Sequence, residues 1–95
     1  MVGIVATIKV KDDQQAAFEE VANQLVAASR AEPGCLEYTL WRTADSTVYV
    51  FVERYQSPEA IEAHKKSDHF RQLGPQMAPF LEAAPELKML VSPTS

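Results

Sequence analysis

Hydrophobic positions along the chain follow two different periods. Strict alternation predicts a strand over residues 2–10, with one face formed by Val2, Ile4, Ala6, Ile8 and Val10. A helical repeat over residues 13–31 then places apolar side chains on one stripe, namely Phe18, Val21, Leu25 and Ala28. Asp12 is a candidate helix cap with Gln15 three residues later, and Pro33-Gly34 ends the helix.

The second half of the chain repeats this order. Strands are predicted over residues 36–43 and 47–55, and the short polar turn between them indicates a hairpin. Ser57-Pro58-Glu59 is typical of a helix start, and Ser67 or Asp68 can begin a further helical turn. Gly74-Pro75 and Pro79 are expected to allow only short helical pieces before a last strand over residues 86–92. The order β-α-β-β-α-β predicts one α+β domain over residues 1–95, a ferredoxin-like split βαβ fold with a four-stranded antiparallel sheet.

The two faces of the predicted sheet differ in composition. One set of alternating strand positions is almost purely aliphatic: Val2, Ile4, Ala6, Ile8, Leu36, Tyr38, Leu40, Val48, Val50, Val52, Leu87, Met89 and Val91. The other mixes aromatic with polar residues: Val5, Thr7, Lys9, Glu37, Thr39, Trp41, Tyr49, Phe51, Glu53, Tyr55, Lys88 and Leu90. Two helices cover only one face, so we expect a homodimer that buries the other face, sheet against sheet. The alternative is a tolerated aromatic surface.

Composition excludes several classes of protein. Cys35 is the only cysteine, so no disulfide forms within the chain, and a reducing compartment is indicated. The net charge of −4 and the scattered basic residues exclude a nucleic-acid surface. No apolar run is long enough for a membrane span and no basic leader is visible, so we expect a cytoplasmic protein. The three glycines do not form a nucleotide-binding loop.

Two residues are candidates for catalysis. His64 lies on or beside the apolar stripe of its helix, where it is either a base or a histidine with a structural hydrogen bond. Glu53 lies within an apolar strand and needs a partner from elsewhere, because Arg54 points to the opposite face. His64 and His69 are five positions apart, or about 140° around a continuous helix, so no metal site is predicted.

Aromatic residues could line a pocket for a flat organic molecule, or form the core of the dimer. The candidates are Trp41, Tyr49, Phe51 and Tyr55. Cys35 has no histidine near it in sequence, and we expect an inert thiol.

Two segments, EPGCLEYTLWR (32–42) and VFVERYQSPEAIEAHKKSDHF (50–70), resemble the antibiotic biosynthesis monooxygenase family. The resemblance covers roughly residues 2–92, and its signature lies around Glu53, His64, Ser67, His69 and Phe70. The family consists of small dimeric α+β barrel proteins and includes cofactor-free quinol oxygenases, an isomerase of a phosphorylated signalling molecule, and haem-degrading enzymes. The haem-degrading members resemble this chain but use three residues that it lacks. Their Asn in the first strand is replaced by Ala6 or Thr7, their Trp in the second long helix by His64, and their later His by Gly74.

The resemblance implies oxidation of a small aromatic or quinol-type substrate by O₂ without a cofactor. His64 would be the base, and Glu53 would orient a histidine or hold a substrate hydroxyl. Further contacts with substrate are expected from Trp41, Phe51, Tyr55, Phe70, His69 and Tyr38. Two alternatives stay open: an isomerase or lyase acting on a small carbonyl metabolite, and a non-catalytic dimeric protein that binds a metabolite.

Overall fold

A four-stranded antiparallel sheet carries three helices on one face in the computed structural model, which describes residues 1–93. The elements are β1 Val2–Lys9, α1 Gln15–Arg30, β2 Cys35–Arg42, β3 Val48–Tyr55, α2 Pro58–Lys66, α3 Asp68–Met77 and β4 Glu86–Val91. The strand order β2-β3-β1-β4 is that of the ferredoxin-like fold, so the predicted fold class is confirmed. The predicted domain extends to residue 95, and its last two residues lie outside the described range.

The register between β1 and β3 corrects the predicted faces of the sheet. Ile4 pairs with Glu53 and Ala6 pairs with Phe51, so even positions of β1 share a face with odd positions of β3. The aromatic residues of β3 therefore lie with the aliphatic residues of β1 beneath the helices, and both groups are buried: Ile4, Ala6, Ile8, Tyr49, Phe51 and Tyr55. Parity was assigned strand by strand from the sequence, whereas the hairpin and the strand pairing set it in the folded chain.

The start of α1 also differs from the prediction. Gln14 is the residue that precedes the helix, and its side chain makes no capping hydrogen bond. Within residues 1–93, the side chain of Asp12 accepts a hydrogen bond only from the side chain of Gln15, at 3.4 Å. A left-handed backbone conformation at Asp13, with φ of 68°, separates Asp12 from the helix start.

The predicted break between α2 and α3 is confirmed at Ser67. Its backbone is extended, with ψ of 151°, and its hydroxyl accepts a hydrogen bond from the backbone N–H of Phe70 at 3.3 Å. The same hydroxyl donates to the carbonyl of His64 at 2.6 Å, so one serine caps both helix ends. α3 then continues through Pro75 to Met77, contrary to the prediction, because a proline removes only one helical hydrogen bond and Met77 is anchored in the core.

β4 is the exposed edge of the sheet. Leu87 and Met89 pair with Ala6 and Ile4 and face the helix side, yet 63% and 58% of their surfaces are exposed. The helices therefore cover β1, β2 and β3 but leave β4 open. None of the helices within residues 1–93 is long and apolar enough to cross a membrane.

Candidate active site

An apolar cavity of about 320 Å³ lies between the helices and the sheet. Its walls include Ile8, Phe18, Tyr38, Phe51, Ile61, Phe70, Met77 and Leu87, and its ionisable side chains include Glu53, His64 and Lys65. Leu87 belongs to the exposed strand β4, so the cavity extends to the open edge of the sheet. The volume suits a small organic molecule.

His64 lies on the inner face of α2, one turn after the buried Ile61, and only 3% of it is exposed. Its ring packs among the rings of Phe70, Tyr38 and Tyr55, with centroid separations of 4.9, 5.3 and 5.6 Å. These contacts fix the plane of the imidazole within the wall of the cavity.

The two ring nitrogens of His64 have different environments. Nδ1 lies 2.8 Å from Oε2 of Glu32, which can only accept a hydrogen bond when it is ionised. Nε2 of His64 has no hydrogen-bond partner among residues 1–93, and part of its surface remains accessible. His64 is one of the residues that line the cavity, and its Nε2 carries the free lone pair when Nδ1 donates its proton to Glu32.

Glu32 also binds His69. Nε2 of His69 lies 2.5 Å from the same Oε2 atom, so one carboxylate oxygen joins both histidines of the chain. The sequence argument that separated the two histidines by about 140° assumed a continuous helix. The extended backbone of Ser67 interrupts it and turns His69 back toward His64, with ring centroids 6.1 Å apart.

The turn after α1 positions Glu32. The Gly34 carbonyl accepts from the backbone N–H of Gln56 at 2.9 Å, which ties the turn to the end of β3. A Cβ atom on Gly34 would lie 2.5 Å from the Cβ of Ala60, so only glycine allows the turn to approach α2 this closely. Sequence reasoning missed Glu32, and the only signal was an acidic residue directly before the Pro33-Gly34 turn.

Glu53 faces the cavity from β3 and is 6% exposed. Its partner is Tyr55, whose hydroxyl donates to Oε1 at 2.6 Å, while Arg54 pairs with Glu37 on the other face, as expected from strand alternation. Burial raises the pKa of the Glu53 carboxyl, although the hydrogen bond from Tyr55 and the nearby His64 lower it in part. Burial and the charge of Glu53 also raise the pKa of Tyr38, so its phenol stays protonated.

The remaining predicted residues divide between the two faces of the sheet. Phe51, Phe70 and Tyr38 line the cavity, and Tyr55 lies behind Glu53. Trp41 lies on the opposite face, where 61% of it is exposed and its indole N–H donates to Thr39, so the sheet separates it from the cavity.

The thiol of Cys35 donates to the Glu37 carbonyl, and burial and the charge of Glu32 raise its pKa, which disfavours the reactive thiolate.

The histidine pair and Glu32 are also a potential set of metal ligands. One ligand atom from each of Glu32, His64 and His69 lies within 4.8 Å of the others. Two imidazole nitrogens and a carboxylate oxygen are donors that suit transition metals. Both nitrogen–oxygen distances are hydrogen-bond lengths, so in this structure the carboxylate of Glu32 is hydrogen-bonded to both imidazole rings.

The fold and the cavity define a small ferredoxin-like protein with a buried histidine in an apolar pocket. The sequence profile described as antibiotic biosynthesis monooxygenase matches residues 1–75. The chain therefore belongs to the antibiotic biosynthesis monooxygenase family.

Known proteins of the same family are similar along most of the chain. Rv0793 of Mycobacterium tuberculosis, named a candidate monooxygenase, is 32% identical over 69 residues, which are 73% of this chain and 68% of that protein. YcnE of Bacillus subtilis, with the same designation, is 32% identical over 72 residues, 75% of this chain and 76% of that protein. A solved structure from Caulobacter crescentus, described as a candidate antibiotic biosynthesis monooxygenase, is 38% identical with a TM-score of 0.92, covering 96% of this chain and 88% of that one. The structure of Rv0793 has a TM-score of 0.91 at 27% identity over 96% of this chain and 93% of its own.

Proposed function

We propose that the protein is a monooxygenase that oxidises a small phenol or quinol with O₂ in the apolar cavity, with His64 as the base. The observation that carries the proposal is the environment of His64. The imidazole lines the cavity, is almost fully buried and is fixed by Glu32 through Nδ1, which leaves Nε2 as the nitrogen for a substrate proton. A base must lie within hydrogen-bond reach of the proton that it removes, and a substrate hydroxyl in the cavity would meet this condition.

The apolar walls support the same chemistry. Phe51, Phe70 and Met77 give the cavity apolar walls that would exclude water, and the two phenyl rings offer flat surfaces for an aromatic ring. Loss of a proton to His64 makes a phenol electron-rich enough to give an electron to O₂ directly. For a phenol the step balances without another reductant: the carbon that gains oxygen loses its hydrogen and the hydroxyl group loses its proton. One oxygen atom then enters the product as a quinone carbonyl, and the other leaves as water with those two hydrogens.

Glu53 and Tyr38 are the polar groups that would orient the substrate. Both line the cavity, and the raised pKa of each favours its protonated form. A protonated carboxyl or phenol can donate a hydrogen bond to a substrate oxygen or to the reduced oxygen intermediate. This role extends the predicted role of Glu53, which the sequence limited to holding a histidine or a hydroxyl.

The relatives support the reaction class. Rv0793 and YcnE are both named as candidate monooxygenases, and both match this chain at 32% identity. Their names give no substrate, so the choice of a phenol or quinol rests on the cavity and on the chemistry of a lone base.

We also propose a homodimer that joins the uncovered sheet faces. The register places Val5, Val52 and Thr39 in one row on this face, and Thr7, Val50 and Trp41 in the next. Trp41 is 61% exposed and Leu90, on the same face, is 44% exposed. A second copy packed on this face would bury the aliphatic centre and the indole, and would leave the Glu37–Arg54 ion pair toward its margin.

Oxygen consumption tests the proposed reaction. Purified protein would be mixed with a panel of anthrones, naphthols and quinols, and oxygen uptake would be followed together with the product spectrum. The proposal expects one O₂ consumed per substrate molecule, with a quinone product. Conversion of a carbonyl compound without oxygen uptake would favour the isomerase or lyase instead, and saturable binding without conversion would favour the metabolite-binding protein.

A further inference from the structure

We propose that Glu32, His64 and His69 form a binding site for one divalent transition metal ion. An ion bound there would also suppress the oxidation proposed above, and this second part rests on the proposed function. The site lies behind the cavity wall, on the Nδ1 side of His64.

Three separate segments supply the ligands. Glu32 comes from the turn after α1, His64 from the last turn of α2 and His69 from the first turn of α3. Their ligand atoms lie within 4.8 Å of one another, and the two nitrogen–oxygen distances are 2.8 and 2.5 Å. Ligands about 2.0–2.2 Å from a zinc-sized ion lie roughly 3.3–3.6 Å apart in tetrahedral geometry, so an ion would spread the two nitrogen–oxygen pairs by roughly 0.5–1 Å, and water would be the fourth ligand. The partly exposed ring of His69 can take up most of this shift.

The donor set selects the kind of ion. Imidazole nitrogens favour zinc, cobalt, nickel and copper, whereas magnesium and calcium prefer shells made entirely of oxygen. Glu32 contributes the negative charge that offsets part of the charge of the ion. The cluster is also reachable, because the exposed side-chain fraction rises from 3% for His64 to 14% for Glu32 and 24% for His69.

A bound ion would change His64 itself. Coordination through Nδ1 takes the lone pair at that nitrogen, and the neutral ring then carries its proton on Nε2. Nε2 is the nitrogen proposed above as the base, so the metal-bound ring would be a hydrogen-bond donor there and could not accept the substrate proton. Metal binding and base catalysis would therefore exclude each other.

Cobalt is the probe for the site, because Co²⁺ in nitrogen and oxygen coordination absorbs visible light. Chelator-treated protein would be titrated with cobalt chloride and followed by absorption and calorimetry. We expect one ion per chain and affinity that falls as the solution is acidified, because protons compete for the histidines. His69→Gln and Glu32→Gln should each weaken binding at least about 10-fold, since each removes a ligand.

Two control variants exclude other ligands. Glu62→Gln removes an exposed carboxylate from α2, and Cys35→Ser removes the thiol near Glu32, so both should bind cobalt like the parent protein. Circular dichroism melting of each variant would show that the fold is intact. No saturable cobalt binding, or binding that survives both ligand substitutions, would overturn the site.

The effect on activity is measured separately. Zinc chloride should abolish oxygen uptake by the parent protein, and a chelator should restore it. Each variant's rate is compared with its own metal-free rate, and half-inhibition of His69→Gln should need at least about 10-fold more zinc than half-inhibition of the parent protein. Zinc-saturated protein that keeps its full rate would overturn the inhibitory role. If no substrate is oxidised at all, the proposed function fails while the cobalt titration still decides the metal site.

Discussion

Nδ1 of His64 lies 2.8 Å from Oε2 of Glu32, although 32 residues separate them in the chain. The contact depends on the tight approach of the turn at Gly34 to Ala60 of α2. It determines which nitrogen of neutral His64 holds the proton, and hence which nitrogen keeps the lone pair of a base.

Neutral His64 should carry its proton on Nδ1. The Glu32 carboxylate accepts at that nitrogen, whereas free histidine in water favours the other tautomer. Nitrogen NMR can distinguish the two forms, and the spectrum is simple because the chain has two histidines. A neutral His64 protonated on Nε2 would contradict the assignment.

Glu32→Gln should lower the rate of oxidation at least about 10-fold, because a hydrogen bond to a charged group contributes about 1.5–3 kcal/mol. Glu62→Gln is the matched control, since it removes a carboxylate that is 60% exposed on the outer face of α2. Equal rates for the Glu32 and Glu62 variants would show that Glu32 does not position His64.

Gly34→Ala should destabilise the protein by about 1–3 kcal/mol, because the new methyl group would overlap the Cβ of Ala60. Ala60→Gly should reduce that cost when the two changes are combined, which a double-mutant cycle of unfolding free energies measures. Gly74→Ala is the control, since nothing lies within 4 Å of its Cβ position, and it should be neutral or stabilising in its helix. Additive effects at Gly34 and Ala60 would contradict the close approach.

Glu53→Gln should make stability less dependent on pH. The pKa of Glu53 is raised by burial, so the folded state binds its proton more tightly than the unfolded state does. This contribution is complete below the ordinary value of 4.5 and is lost as the pH rises through the folded-state pKa. The variant should therefore melt at a higher temperature than the parent protein at neutral pH, and the gap should close toward pH 4. A gap that widens on acidification would contradict the raised pKa.

If the protein is a homodimer, light scattering at micromolar concentration should give a molecular mass of twice 10.6 kDa. Trp41→Glu should shift the mass toward the monomer, because it places a charge within the proposed interface. Met89→Glu is the control on the opposite face of β4, where the side chain is also exposed. A parent protein that runs as a monomer would refute the dimer.

The fold was predictable because its signals are local. Alternation identified the strands, Ser57-Pro58 marked the start of α2, and the Ser67 cap appeared directly in the sequence. Relative parity of the strands was not predictable, because the pairing of Ile4 with Glu53 depends on hairpin geometry and on packing beneath the helices.

The candidate site was predictable only in part. His64, Glu53, Phe51 and Phe70 follow from apolar stripes and from the family resemblance, and the structure places all four at one cavity. The joining of Glu32 to both histidines arises from tertiary contacts between the turn after α1 and the break at Ser67, and no periodicity in the sequence encodes that distance. Trp41 was grouped with Phe51 and Tyr55 because the parity assigned to each strand put them on one face, whereas the pairing of Trp41 with Val50 puts it on the other face.

The most direct test of the account is oxygen uptake by His64→Ala beside the parent protein, with whichever phenol or quinol the parent protein consumes. A positioned base contributes about 10²–10⁴-fold, so the variant should lose at least about 100-fold in rate. His69→Ala is unsuitable as the control because His69 shares the Glu32 oxygen, and Glu62→Ala on the outer face of α2 takes its place. Melting temperatures measured alongside would exclude general unfolding as the cause. The account predicts a folded His64→Ala protein with almost no oxygen uptake, and a folded variant with the full parental rate would contradict it.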